Sequence, residues 1–225
     1  MKVHDIRDLF LEKYKNNEFV IDKSGIKTVE IVGANFEADE NFIFGPPNED
    51  YIKRELDWYK SKSLNVNDIV NTPKIWKQVA DPSGFINSNY GWCIFSKDNG
   101  KQYNKCRAEL KSNKFSRRGT MIYNRPEMWV DYNKNGMSDF MCTYSVQFLI
   151  RNNTLYSLVY MRSNDAWAGY RNDYAWHQYV LNKLFTDLTH DGVYLKDKIM
   201  MWNSASLHLY ERQFYLIEEY EKTKQ

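Results

Sequence analysis

No run of apolar residues in this chain is long enough to cross a bilayer, and the N-terminus MKVHDIRDLF matches neither a secretory signal nor a transit peptide. A membrane partner is therefore not expected, and the location implied is cytoplasmic. Charge of one sign is scarce as well: 31 Lys and Arg face 29 Asp and Glu, the formal net charge is +2, and basic residues are interleaved with acids. That leaves no general electrostatic case for direct nucleic-acid binding. Cysteine is equally sparse. Cys93, Cys106 and Cys142 cannot all pair and none lies at a zinc-ligand spacing, so neither a disulfide framework nor a metal site is expected. In a reducing cytosol they are free thiols and candidate nucleophiles. Internal repeats, low-complexity tracts and an obvious linker are also missing.

What is present suffices for a large core. A chain of 225 residues, 43% hydrophobic and 16% aromatic, is expected to form one domain over residues 1–225. Val3 to Tyr14 reads as a short amphipathic helix with Ile6, Leu9, Phe10 and Leu11 inward, and a turn at Asp22 to Gly25 feeds a strand from Thr28 to Gly33. Gly45-Pro46-Pro47 breaks the chain before a helix carrying Tyr51, Ile52, Leu56, Trp58 and Tyr59, with Glu55 inside it. Trp76 lies between two turn clusters, Asn71 to Pro73 and Asp81 to Gly84, and Asn87 to Trp92 reads as a polar loop with an aromatic exit. A helix is expected around Tyr103 to Leu110, and Ser116 to Gly119 precedes the apolar run Thr120 to Tyr123. Near the end, Lys198 to Trp202 and Ser206 to Tyr210 read as two strands, and Arg212 to Tyr220 as a closing helix.

The stretch from Asp139 to Asp173 gathers a thiol, a guanidinium and carboxylates. From Cys142 to Ile150 the residues alternate, with Tyr144, Val146, Phe148 and Ile150 on one face and Thr143, Ser145, Gln147 and Leu149 on the other. A four-residue connection, Arg151 to Thr154, leads into a second strand from Leu155 to Met161, so a hairpin is predicted. It ends in the polar cluster Arg162-Ser163-Asn164-Asp165. Gly169 then predicts a tight turn, and apolar positions from Tyr174 to Leu188 predict a helix capped by Asn172 or Asp173.

These pieces, in order, carry a resemblance: DKSGIKTVEIVGANF, RELDWYKSKSL, INSNYGW, SRRGTMIY, DYNKNGMSDFMC, MRSND, GYRNDYAW and SLHLY. Almost the whole chain resembles the thymidylate synthase family, and within it the bacteriophage deoxycytidylate hydroxymethylases. The resemblance implies an α+β fold, a mixed β-sheet packed with helices, one face of which serves homodimerisation. It implies dCMP and a reduced folate, 5,10-methylenetetrahydrofolate, as substrates, and no metal. A dUMP hydroxymethylase or a thymidylate synthase is the neighbouring alternative, and a catalytically silent nucleotide- or RNA-binding member is the alternative of another class.

The same resemblance distributes roles. Cys142 matches the family nucleophile, which adds to C6 of the pyrimidine and makes C5 reactive. Glu55 matches the acid-base residue that relays protons around the ring. Arg162 and Ser163 match the nucleotide-phosphate site, and Arg117 and Arg118 match the pair that reaches the same phosphate from the other subunit, where planar guanidinium forks suit phosphate oxygens. Positive charge of that kind is also expected to lower the thiol pKa. Lys23 stands where synthases have an arginine. Tyr90 falls among the substrate contacts, and His208 and Tyr210, two apart on a strand, match the contacts to the deoxyribose hydroxyl. Trp76, Asp165 and Gly169 fall on the folate side. Asp173 stands where synthases carry an asparagine that reads the base. A carboxyl can accept from the cytosine amino group and, when protonated, donate to N3, which favours dCMP.

Other departures from the synthases point the same way. Thr143 replaces a histidine after the nucleophile, Met161 replaces a glutamine before Arg-Ser, and Arg171-Asn172-Asp173 replaces Pro-Phe-Asn. The sequence ends at Gln225, soon after its last helix, so the tail that closes over folate in synthases is expected to be short or absent, leaving water better access to the intermediate.

Overall fold

The computed structural model describes residues 1–224. In chain order the elements are α1 (Val3–Lys15), β1 (Phe19–Ile21), β2 (Lys27–Glu37), α2 (Glu49–Ser61), α3 (Lys74–Val79), α4 (Tyr90–Phe95), α5 (Gln102–Ser112), β3 (Thr120–Ile122), α6 (Met128–Asp131), β4 (Thr143–Arg151), β5 (Thr154–Met161), β6 (Asn164–Asp165), α7 (Ala168–His190), β7 (Asp197–Tyr210) and α8 (Tyr215–Lys222). The strands form one seven-stranded mixed sheet in the order β1-β2-β7-β5-β4-β3, with β6 also on β7. All neighbours are antiparallel except β5 and β6, which run parallel to β7. A parallel pair needs a long crossover, and α7 supplies it. Helix α7 lays Trp176, Val180, Leu181, Leu184 and Leu188 into a core shared with Leu155, Val159, Met200 and Trp202 of the sheet. Packed at this depth, each large aliphatic side chain contributes roughly 1.5–3 kcal/mol. One contiguous core of buried residues runs from Val3 to Ile217.

The expected hairpin is present, with a tighter turn. Arg151 pairs with Thr154, so only Asn152 and Asn153 turn the chain, both at positive φ (50° and 61°), the conformation a two-residue hairpin loop demands and asparagine tolerates. Strict alternation fails at one end of β4. The register slips between Thr143 and Ser145, which leaves Thr143 buried and Tyr144 exposed; a bulge of this kind re-aims the residues beside it, here Cys142. Near the C-terminus the two predicted strands are one. Residues 197–210 form one strand because Asn203 and Ser204 are bonded on both sides, to β2 and to β5, and only Ala205 has no register partner. The loop from Asn87 breaks early, since Asn89 caps a helix: its side-chain oxygen accepts from the Trp92 N–H at 2.8 Å.

Asn89 also fixes α4 to α2. Its amide nitrogen donates to the carbonyls of Trp58 (3.0 Å) and Ser63 (2.8 Å) at the end of α2. The two backbones approach so closely that a Cβ on Gly91 would lie 1.7 Å from the Tyr59 carbonyl oxygen. Glycine is required there by contact rather than by dihedral angle. Gly91→Ala must push α2 and α4 apart, and a loss of about 3 kcal/mol or more is expected in urea unfolding. A midpoint equal to that of the wild type would show that the approach is not needed.

Candidate active site

Cys142 is half-buried at the head of β4. Its backbone carbonyl accepts from the Arg162 N–H at 2.7 Å, which ties the entrance of β4 to the exit of β5. The Arg162 guanidinium then folds back over this corner. Nη2 lies 3.5 Å from Cys142 Sγ and 3.2 Å from the Phe140 carbonyl oxygen, and Nε points at the Met141 carbonyl. Phe140 also stacks beneath the guanidinium at 5.2 Å. Just upstream, the buried Asp139 carboxylate accepts from the Asn87 N–H (2.7 Å), the Ser88 N–H (2.8 Å) and the Ser88 hydroxyl (2.6 Å), and so ties the loop before α4 to the segment that carries Cys142.

Facing the thiol across the cleft is Asp173. Helix α7 does not begin at Asn172 or Asp173; it begins at Ala168, and Asp173 sits in its second turn with the side chain turned inward rather than capping. Gly169 is helical too, not a turn. It gives room: a Cβ there would come to 3.3 Å from Asn164 Nδ2 and from Asp165 Cβ. Asn164 Nδ2 donates to Asp173 Oδ2 at 2.8 Å, and the Tyr90 hydroxyl faces both this carboxyl and Thr143. A third group completes the cleft. Glu55, 5% exposed, accepts from the Tyr51 hydroxyl at 2.5 Å and from Trp76 Nε1 at 3.0 Å, both on Oε1.

Desolvation governs the titration of this cleft. Burial pushes Asp173 up to about 8, with repulsion from Glu55 adding to it and the hydrogen bonds from Asn164 and Tyr90 opposing it. Burial raises Glu55 as well, against its two donors. It also raises the Cys142 thiol to about 11, although Arg162 pulls the other way. The expectation of a lowered thiol pKa therefore fails for this chain alone: one guanidinium does not outweigh removal from water.

The remaining predicted residues lie at two distances. His208 and Tyr210 do share a face, their rings 5.1 Å apart and half-buried, and His208 is the register partner of Asp165. Asp165 Oδ1 accepts from the Trp167 N–H at 2.9 Å. Ser163 follows Arg162 directly, and Lys23 is exposed in the turn beside β2, whose Thr28 pairs with Tyr210. Arg117 and Arg118 are not in this cluster. Both are exposed, Arg118 bonds Glu109 of α5, and the neighbouring Gly119 carbonyl receives Phe148, six residues along β4 from Cys142, roughly 20 Å at 3.3 Å per residue. Cys93 and Cys106 are buried, with thiols pushed up to about 12, and belong to the core. Among the described residues no group of three or more His, Cys, Asp or Glu side chains is arranged to hold a metal ion. No helix there is long and apolar enough to cross a membrane.

Sequence reasoning missed Tyr51, Asp139 and Asn164. Tyr51 could have been found, since it precedes Glu55 by one helical turn and therefore shares its face. Asn164 and Asp139 carry no local signal; their partners lie on α7 and in the loop before α4.

A half-buried thiol, a guanidinium and two carboxyls thus lie together on a mixed sheet crossed by one long helix. The thymidylate synthase family model matches residues 12–224, and the chain belongs to that family. It is 56% identical over 226 residues to the deoxycytidylate 5-hydroxymethyltransferases of Enterobacteria phages T4 and T2, covering 99% of this chain and 92% of those proteins. It is 25% identical over 209 residues to a thymidylate synthase of Buchnera aphidicola subsp. Acyrthosiphon pisum (strain APS), covering 88% of this chain and 75% of that one.

The carboxyl of Asp173 makes a stability prediction with a definite sign. Unfolded, it titrates near its ordinary value of 3.8; folded, near 8. Below both values the burial costs nothing extra, and between them only the unfolded chain releases the proton, so stability is lost as pH rises through that window. Asp173→Asn should match the wild type near pH 4 and be roughly 2–4 kcal/mol more stable near pH 8, at about 1.4 kcal/mol per pH unit less the hydrogen-bond losses. Urea midpoints at the two pH values check this; a constant gap would mean that the carboxyl is ionised throughout.

Proposed function

We propose that the chain is a dCMP 5-hydroxymethyltransferase, a single catalytic domain that acts in the cytoplasm of a phage-infected cell and supplies 5-hydroxymethyl-dCMP for modified DNA. Its relatives in phages T4 and T2 carry that activity in their names. The observation that carries the choice of base is Asp173, whose carboxyl is neutral at pH 7. A neutral carboxyl has one donor and one acceptor, the complement of cytosine N3 and its amino group. Uracil presents the reverse pattern; the Asn164 amide donates to Oδ2 and so favours the carboxyl proton on Oδ1, and with the proton held there uracil leaves buried polar groups unpaired, at roughly 1–3 kcal/mol each.

Bound 5,10-methylenetetrahydrofolate supplies the one-carbon unit. The residues on its side of the cleft fit an aromatic, hydrogen-bonding ligand. Trp76 has its indole N–H committed to Glu55 and Tyr51, so its half-exposed ring face is what remains for stacking. Asp165 holds its helix with Oδ1 and keeps Oδ2 for a ligand. Cys142 adds through Sγ to C6 of the pyrimidine, C5 takes the one-carbon unit and gives up its proton with Glu55 relaying it, tetrahydrofolate leaves, and water adds to the exocyclic carbon as Sγ leaves C6, giving the hydroxymethyl group. Arg162 and Ser163 bind the 5′-phosphate, with Lys23 near the same rim, and His208 and Tyr210 take the deoxyribose hydroxyl.

Arg117 and Arg118 serve a second copy of the chain across the sheet. Their distance from Cys142 in their own protomer and the exposed Val32, Ile122 and Tyr144 support that role. The positive charge that Arg162 alone does not provide for the thiol then comes from the neighbouring subunit.

Two measurements test these assignments. Asp173→Asn keeps size and fold but replaces a carboxyl proton that either oxygen can carry with a fixed amide donor, so kcat/KM for dCMP should fall on the order of 10²-fold or more and preference should move toward dUMP. An unchanged ratio of the two nucleotides reopens the substrate. Cys142→Ala and Arg118→Ala, each inactive, should recover part of wild-type activity when mixed under subunit exchange, because one hybrid site then holds both intact residues. An active monomer would remove the shared-arginine assignment.

A further inference from the structure

We propose that Tyr51 is a positioning residue that anchors one oxygen of Glu55 and so aims the other at the pyrimidine. The proposal deepens the assignment above and rests on Glu55 being the proton-relaying group. Two polar atoms converge on Glu55 Oε1, the Tyr51 hydroxyl at 2.5 Å and Trp76 Nε1 at 3.0 Å, and that indole nitrogen also lies 3.1 Å from the Tyr51 oxygen. This is a closed triangle of two donors on a single carboxyl oxygen. No described residue donates to Oε2, which is left as the reactive atom.

Tyr51 reaches Glu55 along the same face of α2, one turn before it, and Trp76 arrives from α3, so the clamp joins two elements that also meet through the ring of Trp58, whose centroid is 5.2 Å from that of Trp76. A carboxyl held by one oxygen cannot rotate about its terminal torsion, the broad and soft one for glutamate. Without the phenol, that torsion is held by a single donor. The other groups facing Glu55 leave no substitute: Tyr59 from α2 and Asp173 from α7 bring no positive charge, and Arg54 is turned away to Asp50 and the Val70 carbonyl. The hydroxyl also favours the ionised form of Glu55 against burial.

Tyr51→Phe removes one oxygen and leaves the ring. In the full-length enzyme, kcat for hydroxymethylation at pH 7 should fall on the order of tenfold, a fraction of what a positioned acid-base group contributes. KM for dCMP should stay within about threefold, since the nucleotide contacts lie on other residues. The acidic limb of the kcat profile should move to higher pH, because Glu55 loses a donor that holds its carboxylate. A purely structural role would lower the thermal midpoint and leave that limb in place. Trp76→Phe, which removes the second donor from the same oxygen, should move the limb in the same direction. Glu55→Gln separates the two ideas. If it is inactive while Tyr51→Phe keeps the wild-type limb and a kcat within twofold, the clamp is wrong and the role of Glu55 stands; if Glu55→Gln is fully active, the role of Glu55 fails and the proposal with it.

Discussion

Removal from water is the constraint on which this cleft depends. For Cys142, Glu55, Asp139, Asp165 and Asp173 alike, burial is the largest influence on the proton and in every case it disfavours the charged form. A single guanidinium, Arg162, touches the thiol, and part of its hydrogen-bonding capacity goes to the carbonyls of Phe140 and Met141. In an isolated protomer burial therefore works against the charged form of every one of these groups. For the proposed reaction this is an economical arrangement: a protonated Asp173 is what cytosine needs, whereas the thiol awaits added positive charge. Arginines from a second copy would supply that charge where the phosphate also needs it.

The backbone brings these groups together by means that propensity does not reveal. The two-residue strand β6 pairs with β7, and three residues later the chain is already helical, so the second turn of α7 hangs over the corner where β4 begins and β5 ends. At that corner the bulge around Tyr144 interrupts alternation. Thr143 goes inward as a result, toward the Tyr90 hydroxyl. Displacing β6, α7 or the bulge by one residue would turn Asp173 or Cys142 away, since a one-residue shift reverses a strand side chain and rotates a helical one by about 100°.

Much of this was legible in the chain. Alternation placed His208 beside Tyr210 and the apolar face of β4, and the break at Gly45-Pro46-Pro47 announced α2. The start of α7 was misplaced because Gly169 and Asn172-Asp173 imitate a breaker and a cap. Tertiary contact overrides both: the glycine is there for closeness to Asn164 and Asp165, and Asp173 bonds Asn164 instead of its own helix N-terminus. The split of β7 failed for a similar reason. Residues 203–205 look like a break, yet Asn203 and Ser204 lie between two strands that bond them, and sheet neighbours are not visible to a local pattern. The arginine pair was recognisable only by family likeness, since nothing within one protomer takes it to the thiol.

Two carboxyls in one desolvated cleft cannot both be ionised cheaply, and their surroundings decide which one carries charge. Each opposes the ionisation of the other, as the repulsion between Glu55 and Asp173 shows. Their donors differ. Glu55 has a phenol and an indole on one oxygen, both of which favour its anion. Asp173 has the Asn164 amide and the more distant Tyr90 hydroxyl, and it also feels Asp165. Burial and the charge of Glu55 both raise Asp173, whereas Glu55 is raised by burial against its two donors. Base recognition and proton transfer are thus coupled. A neutral group at the base edge lowers the cost of a charge at Glu55, and an asparagine at position 173 would keep that cost low at every pH while replacing a carboxyl proton that either oxygen can carry with a fixed amide donor.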